Sequence, residues 1–443
     1  MTDNIAETLV RPANIVLAPR RELFAWAMYD FANSGYTTVV LTAVFNAYFV
    51  GVVAASVGGA ASGAGTLYWT VAIAITNALI LFSAPVLGAI ADHRADKKRF
   101  LAVTTAGCVI STALLAIVGP GDVWLGMVLV ILSAFMFGTG ENLIAAFLPE
   151  IAPQGDMGRI SGYGWSLGYL GGLLVLGFCL VYVSWAESQG QAAPEYVPVT
   201  MVMTAIIFGL AAMPTFLWLP ERATVSPLSA GQGYVSIGFT RVMATLRHVR
   251  HFRDLFRFLL SLTVYYCGIY TVVVLAAVYA REVMDFSTGD TLILILVINV
   301  TAAAGAFVFG HVQDKLGSLR TLALTLALWI AALVLAYFTE SRGAFWIVGN
   351  LVGLALGSSQ SAGRALVGQF APPRRSAEFF GLWGLASKLA AVVGPLSYGT
   401  ITFLSGGNQR AAVLSTVTFF IVGLLLLSLV DEARGRRAAL TAA

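Results

Sequence analysis

Apolar residues in this chain come in long blocks, broken by short polar stretches marked by Pro, Gly or clustered charge. Within the blocks, for example Leu322–Phe338 and Val413–Val430, apolar and polar positions do not alternate. A bilayer core about 30 Å thick takes roughly 20 apolar residues per helical crossing. Backbone polar groups in lipid must be satisfied within the protein, which leaves helices or a closed barrel. Barrel strands would alternate in shorter segments, so the pattern predicts helices. Twelve spans follow, over residues 24–50, 67–91, 100–118, 123–148, 161–184, 198–219, 258–280, 289–310, 320–338, 344–369, 378–402 and 411–430. The fold class expected is an all-α polytopic membrane protein of twelve transmembrane helices.

Composition agrees. Of 443 residues, 58% are hydrophobic and 11% charged, where soluble proteins carry about 25% charged residues. The placement of basic residues orients the spans by the positive-inside rule. Loops on one side, with both tails, hold 21 of the 26 Lys and Arg residues, and the other side only Arg281, Arg342 and Arg410. Both termini are therefore expected in the cytoplasm. The predicted domains are a tail (1–23), a six-helix bundle (24–219), a cytoplasmic linker (220–257), a second six-helix bundle (258–430) and a tail (431–443). In the linker, Val235, Phe239, Val242, Met243, Leu246 and Val249 recur at near-helical spacing among arginines. That pattern predicts an amphipathic basic helix on an anionic leaflet, a plain basic linker being the other reading. The first 22 residues are polar and include Pro12 and Pro19, so no cleavable signal peptide is expected. Cys108, Cys179 and Cys267 sit in apolar blocks and read as packing residues.

The halves echo each other. Gly88-Ala-Ile-Ala-Asp92, followed by a basic turn, ends span 2, and Gly310-His-Val-Gln-Asp314, also with a basic turn, ends span 8. Pro153 and Gly162 are answered 219 residues on by Pro372 and Gly381. Two parallel six-span repeats joined by a basic loop suit a transporter whose substrate site lies between the halves near the midplane.

The Gly-x-x-x-Asp loop with its basic turn resembles the signature loop of the major facilitator superfamily, with His93 and Ala95 departing from the usual residues. A narrower resemblance lies in Trp26-Ala-Met-Tyr29-Asp30-Phe31-Ala32-Asn33-Ser34. It is similar to the signature of the vacuolar effluxer-like subfamily, typified by the fungal autophagy-related amino-acid exporter. Ala146–Ala152, Gly158–Gly172 and Glu378–Trp383 with Lys388 and Gly394-Pro395-Leu396 resemble the same group. The resemblance implies secondary transport, and amino-acid efflux for the fungal member.

Charges inside spans are costly and mark function or buried pairing. Four stand out: Asp30 and Glu141 in the first half, Arg364 and Lys388 in the second. Three roles suit them: binding a zwitterion, closing an inner gate by pairing across the halves, or carrying a coupling proton. A static packing network is the bland alternative. Polar and aromatic neighbours extend the candidate substrate or proton site to Asn33, Tyr36, Asn142, Gln360, Trp165, Trp383, Tyr266 and Tyr270. Asp92, Arg94, Glu150, Arg159, Asp314 and Lys315 fall at the cytoplasmic rim, as gate or structural residues. Gly164, Gly168, Gly171 and Gly172 fit close helix approach.

Enzyme motifs are missing: there is no nucleotide-binding phosphate loop, His-Glu-x-x-His or Gly-x-Ser-x-Gly. The sequence therefore points to no enzyme, no cofactor and no metal. It predicts a monomeric secondary transporter in a bacterial inner membrane, surrounded by lipid and binding no nucleic acid. Amino-acid export is the leading substrate reading, with a proton as candidate coupling ion. Peptide, sugar or drug transport, or a receptor or scaffold on a transporter fold, are the competing ones.

Overall fold

The computed structural model describes residues 17–54, 64–222, 252–405 and 408–441, together with Thr240 and Met243. The predicted amphipathic linker helix lies almost wholly outside these residues. Twelve long helices run through the described chain: α1 (Arg20–Val53), α2 (Ala64–Arg94), α3 (Lys97–Leu114), α4 (Val123–Ala145), α5 (Met157–Ser188), α6 (Ala193–Trp218), α7 (Arg253–Glu282), α8 (Thr288–Leu316), α9 (Ser318–Phe338), α10 (Arg342–Phe370), α11 (Ser376–Leu404) and α12 (Gln409–Leu427). A short helix, α13 (Glu432–Thr441), follows. The first six long helices form one bundle and the next six a second. No strand occurs among the described residues.

Eleven of the twelve are long and apolar enough to cross a membrane. The exception is α10, and its surroundings explain why. From Ala355 to Phe370 every residue except Gln360 is buried. A helix shielded from lipid by its neighbours has no need of apolar composition, so α10 carries Ser358, Ser359, Gln360, Ser361, Arg364 and Gln369 in succession. α1 departs from regular α geometry at Thr37–Ala43 and Phe49–Val53, which are π-helical. Such widened turns occur often at functional sites.

The helix ends show how the repeat is used. Helix N-termini leave unpaired N–H groups and a partial positive charge. At the end of the bundle that carries Arg20 and Thr441, hereafter the basic end, four N-termini are capped by carboxylates from elsewhere in the chain. Asp92 at the end of α2 accepts the N–H groups of Ala377 (3.1 Å) and Glu378 (2.8 Å) in α11. Asp314 at the end of α8 accepts those of Gly158 and Arg159 in α5, both at 3.0 Å. The two Gly-x-x-x-Asp motifs thus do the same thing, each capping a helix of the opposite half. Glu221, just after the first half, caps α3 in that half, and Glu432, just after the second, caps α9.

Glycines set the seams between the halves. A methyl group on Gly162 of α5 would lie 2.5 Å from the Ala306 carbonyl oxygen, and one on Gly310 of α8 would lie 2.8 Å from that of Gly158. In the matching seam, a methyl on Gly381 of α11 would sit 2.6 Å from the Ala84 carbonyl oxygen, and one on Gly88 of α2 would enter the Ala377 carbonyl. Within the first bundle Gly168 and Gly171 of α5 let α1 approach at Ser34 and Phe31. These are close small-residue contacts of the kind that hold membrane helices together.

Candidate functional site

Asp30 of α1 and Arg364 of α10 meet across the halves, with Nη1 2.7 Å from Oδ2. Both are buried. Arg364 is held on every side. Its Nε donates to Ser161 Oγ (3.1 Å) and its Nη2 to the Ser161 carbonyl (2.9 Å). The indoles of Trp26 and Trp165 lie over its guanidinium at 4.7 and 5.2 Å. Ser161 Oγ in turn donates to the Ser361 carbonyl (2.8 Å), and Trp26 Nε1 to the Ile144 carbonyl (2.8 Å). Gly164 makes room: a methyl there would run into Asp30 and Arg364. Every guanidinium nitrogen of Arg364 is thus engaged by a protein oxygen; it is a clasp between α1, α5 and α10.

Glu141 and Lys388 differ. Each is half-buried, and neither makes a hydrogen bond or ion pair to any described residue. The charges that act on Glu141 are those of Lys388, Asp30 and Arg364, in that order. Lys388 of α11 lies against α4, its Cε 3.8 Å from where a methyl on Gly138 would sit, one turn before Glu141. Several buried polar atoms close no hydrogen bond: Asn142 Nδ2, next to Glu141 in the chain, Tyr266 Oη and Trp383 Nε1, and Trp165 Nε1 beside the clasp. Trp383 Nε1 faces Tyr266 Oη without closing a bond of good geometry. Buried orphaned donors are rare in native proteins and call for water or a ligand. Tyr266 packs edge-on between Tyr265 and Tyr270, at ring centroid distances of 5.1 and 5.8 Å. Tyr169 donates to Gln360 Oε1 (2.7 Å), joining α5 to α10.

The remaining sequence candidates divide. Asn33 is buried with Oδ1 unpartnered. Tyr36 is not in the site. Its hydroxyl bonds Ser133 Oγ (2.8 Å) and its ring stacks on Phe137 (5.0 Å), all within the first bundle, because six residues beyond Asp30 the helix has turned that face inward. Tyr36→Phe should leave transport at the wild-type rate and cost about 0.5–1.5 kcal/mol of stability, the net worth of one hydrogen bond, read as a fall in melting temperature. At the rim, Asp92, Glu150 and Arg159 take part in ion pairs, and Asp314 caps α5. Of the other two residues expected at the rim in a gate or structural role, Arg94 pairs with its neighbour Asp96 (3.1 Å), and Lys315 is exposed. Both lie in the last turn of their helix.

Sequence reasoning missed four parts. Lys97, fully buried, pairs with Glu150 and Asp92 and donates to Ser376 Oγ across the halves (3.0 Å). Gln369 donates to the Gln154 carbonyl (3.0 Å). Trp26 and Ser161 complete the clasp. Lys97 stood inside the basic turn and looked like an orientation signal. Trp26 and Ser161 lie one turn from Asp30 and Trp165 respectively, which was the available hint.

All hydrogen bonds described here between the halves lie from the level of Tyr169–Gln360 to the basic end. The bundle is closed on that side.

Comparison with known proteins agrees with this architecture. The family model described as vacuole effluxer Atg22 like matches residues 18–157 and 153–440. An uncharacterized MFS-type transporter, YxiO of Bacillus subtilis, is 29% identical over 92% of this chain and 94% of its own length. Autophagy-related protein 22-1 of Neosartorya fischeri is 25% identical over 64% of this chain, which spans 50% of that protein. Among solved structures, the human organic anion transporter MFSD10 superposes with a TM-score of 0.71 at 13% identity, covering 92% of this chain and 99% of that one. The proton:xylose symporter XylE gives 0.71 at 15% identity, covering 95% and 98%. At these identities the structures speak for the fold alone. A chain built of two six-helix halves, capped reciprocally by its paired Gly-x-x-x-Asp motifs and matched along nearly its whole length by one family model, belongs to the Atg22-like vacuole effluxers of the major facilitator superfamily, transporters and not enzymes.

Proposed function

We propose that this transporter exports amino acids by alternating access, as a monomer in a bacterial inner membrane with the basic end in the cytoplasm. The observation that carries the reading is the pairing of Asp30 with Arg364 across the halves, inside the spans and on the closed side. Charges in the membrane interior are stable only when paired or solvated, so opening the cytoplasmic side requires that clasp to part. The cycle then runs between the closed arrangement described above and one in which Asp30 and Arg364 separate and α5 and α11 leave their carboxylate caps. A carboxylate that alternates between a cationic partner and none has a different proton affinity in the two states. That makes Asp30, or the unpaired Glu141, the candidate carrier of a coupling proton. The family match supports efflux, and the excess of basic residues at one end supports the orientation.

Purified chain in proteoliposomes, loaded in turn with each amino acid, a set of dipeptides and xylose, should give counterflow with amino acids, and a pH gradient should drive accumulation. Flux of a peptide or sugar with none for any amino acid ends the substrate reading. Gradient-independent flux ends the proton reading alone.

A further inference from the structure

The repeat makes two of the contacts described above equivalent. Glu141 and Gln360 stand 219 residues apart, as do Tyr169 and Lys388, the same offset that relates Gly162 to Gly381. Gln360 of α10 with Tyr169 of α5 is therefore the counterpart of Glu141 of α4 with Lys388 of α11. The neutral pair is closed, at 2.7 Å. The charged pair, which has far more to gain from closing in a low-dielectric setting, is open. The same molecule thus shows what a satisfied inter-half contact looks like at this level, and shows that Glu141 and Lys388 do not make one. The clasp, by contrast, engages Arg364 throughout: each of its three nitrogens has a partner, and the indoles of Trp26 and Trp165 lie against its guanidinium.

We propose that Glu141 and Lys388 are the seat of the solute's two charges, the ammonium on Glu141 and the carboxylate on Lys388, while Asp30 and Arg364 bind no solute. This rests on the amino-acid reading and sharpens it to zwitterions that carry both groups unsubstituted. A proton carrier would need Glu141 alone; an unpaired cation beside it is a seat for an anion. Asn142 Nδ2 neighbours Glu141 in sequence, and the buried Trp383 Nε1 and Tyr266 Oη lie on the two helices that flank the seat, α11 and α7. They are donors that close no hydrogen bond of good geometry, and suit the oxygen atoms of a carboxylate. The solute bridges α4 and α11 at the place where α5 and α10 already touch, so binding completes the second of two symmetric contacts.

The test is a ligand–variant cycle on the purified full-length chain, read as thermal stabilisation, which rises with ligand concentration over Kd. The probes are L-phenylalanine, L-leucine and L-glutamine, each with its α-amide, which lacks the carboxylate, and its N-acetyl derivative, which lacks the ammonium. For the wild type, both derivatives should bind about tenfold or more weakly than the parent, the worth of one charge-assisted hydrogen bond. Lys388→Met should bring the parent down to the level of the amide and leave the amide unchanged. Glu141→Gln should bring the parent down to the N-acetyl level and leave that derivative unchanged. Lys388→Arg should keep the preference for the parent over the amide. The melting temperature without ligand should stay within a few degrees of the wild type in all three variants, because neither side chain has a partner to lose. If Lys388→Met weakens amide and parent alike, or if Arg364→Lys rather than Lys388→Met erases the parent–amide difference, the assignment is overturned while amino-acid transport stands. If no amino acid stabilises the wild type and none gives counterflow, the transport reading falls and takes the seat with it.

Discussion

Arg364→Met is expected to abolish transport and to lower the stability of the closed state by about 3–5 kcal/mol, the usual consequence of leaving one member of a buried ion pair behind. Asp30 would then stand in the spans without a cation, and Ser161 Oγ and the Ser161 carbonyl would lose their donors. Trp26 and Trp165 would lose the guanidinium between them as well. The double variant Asp30→Leu/Arg364→Met separates the two consequences. Replacing both members of a buried pair by apolar residues is often neutral or stabilising, so the double variant should melt near the wild type. It should remain inactive, because a clasp that never forms cannot part in response to anything. Melting of the purified single and double variants checks the first half, and counterflow checks the second. The state itself is read by labelling a thiol at Ser361→Cys in a chain whose three native cysteines are replaced. That position is buried between the halves in the closed arrangement and should label rapidly in the single variant. A single variant that transports normally would mean that the pair only holds helices together.

Gly88→Leu and Gly310→Leu should trap the transporter with its basic end apart. At Gly88 even a methyl would overlap the Ala377 carbonyl, and at Gly310 it would press on the Gly158 carbonyl at 2.8 Å; both neighbours are backbone and have nowhere to rotate. Overpacking of this kind costs about 1–3 kcal/mol or more. Because the strain exists only while the halves touch, it acts on the equilibrium between states and not on folding. A shift of that size is about five- to two-hundredfold in population, enough to remove the closed arrangement from the cycle. The caps of Asp92 on α11 and of Asp314 on α5 would be broken by the same displacement. Gly177→Leu on α5 is the control, since nothing lies within 4 Å of a methyl there. The Ser361→Cys thiol should label in both seam variants and not in the control. Equal labelling in all three would show that the seams do not gate access.

These two expectations draw on different kinds of information. That Gly88 and Gly310 mattered together was visible as a repeated motif, with Gly162 and Gly381 at a second spacing. That each motif caps the opposite half was not visible, since a motif does not name its partner. The four membrane charges also stood out, for the simple reason that each is an exception in an apolar block. Their pairing did not: Asp30 had two basic candidates of similar depth, and nothing in one dimension chooses between them. The choice falls to Arg364 because Gly164 leaves space beside Asp30 and Ser161 supplies two acceptors. Tyr36, so close to Asp30 in the chain, belongs to the interior of the first bundle, and Lys97, which in the sequence is one more charge of the basic turn, is fully buried in an ion-pair cluster.

The division has a physical origin. Whether a segment enters a bilayer is a sum over its own residues, each with its own transfer energy, and which loops face the cytoplasm is a sum over their charges. Sums of that kind are complete in the chain, so the spans, their shared basic end and the two halves were all legible there. An ion pair, an orphaned donor or a glycine seam depends on the rotation and approach of helices far apart in the chain, 156 residues at one seam and 334 at the clasp, and on which of several chemically equal partners arrives within bonding distance. Only the packed structure decides that, and here it decided that Asp30 and Arg364 close while Glu141 and Lys388 stay open.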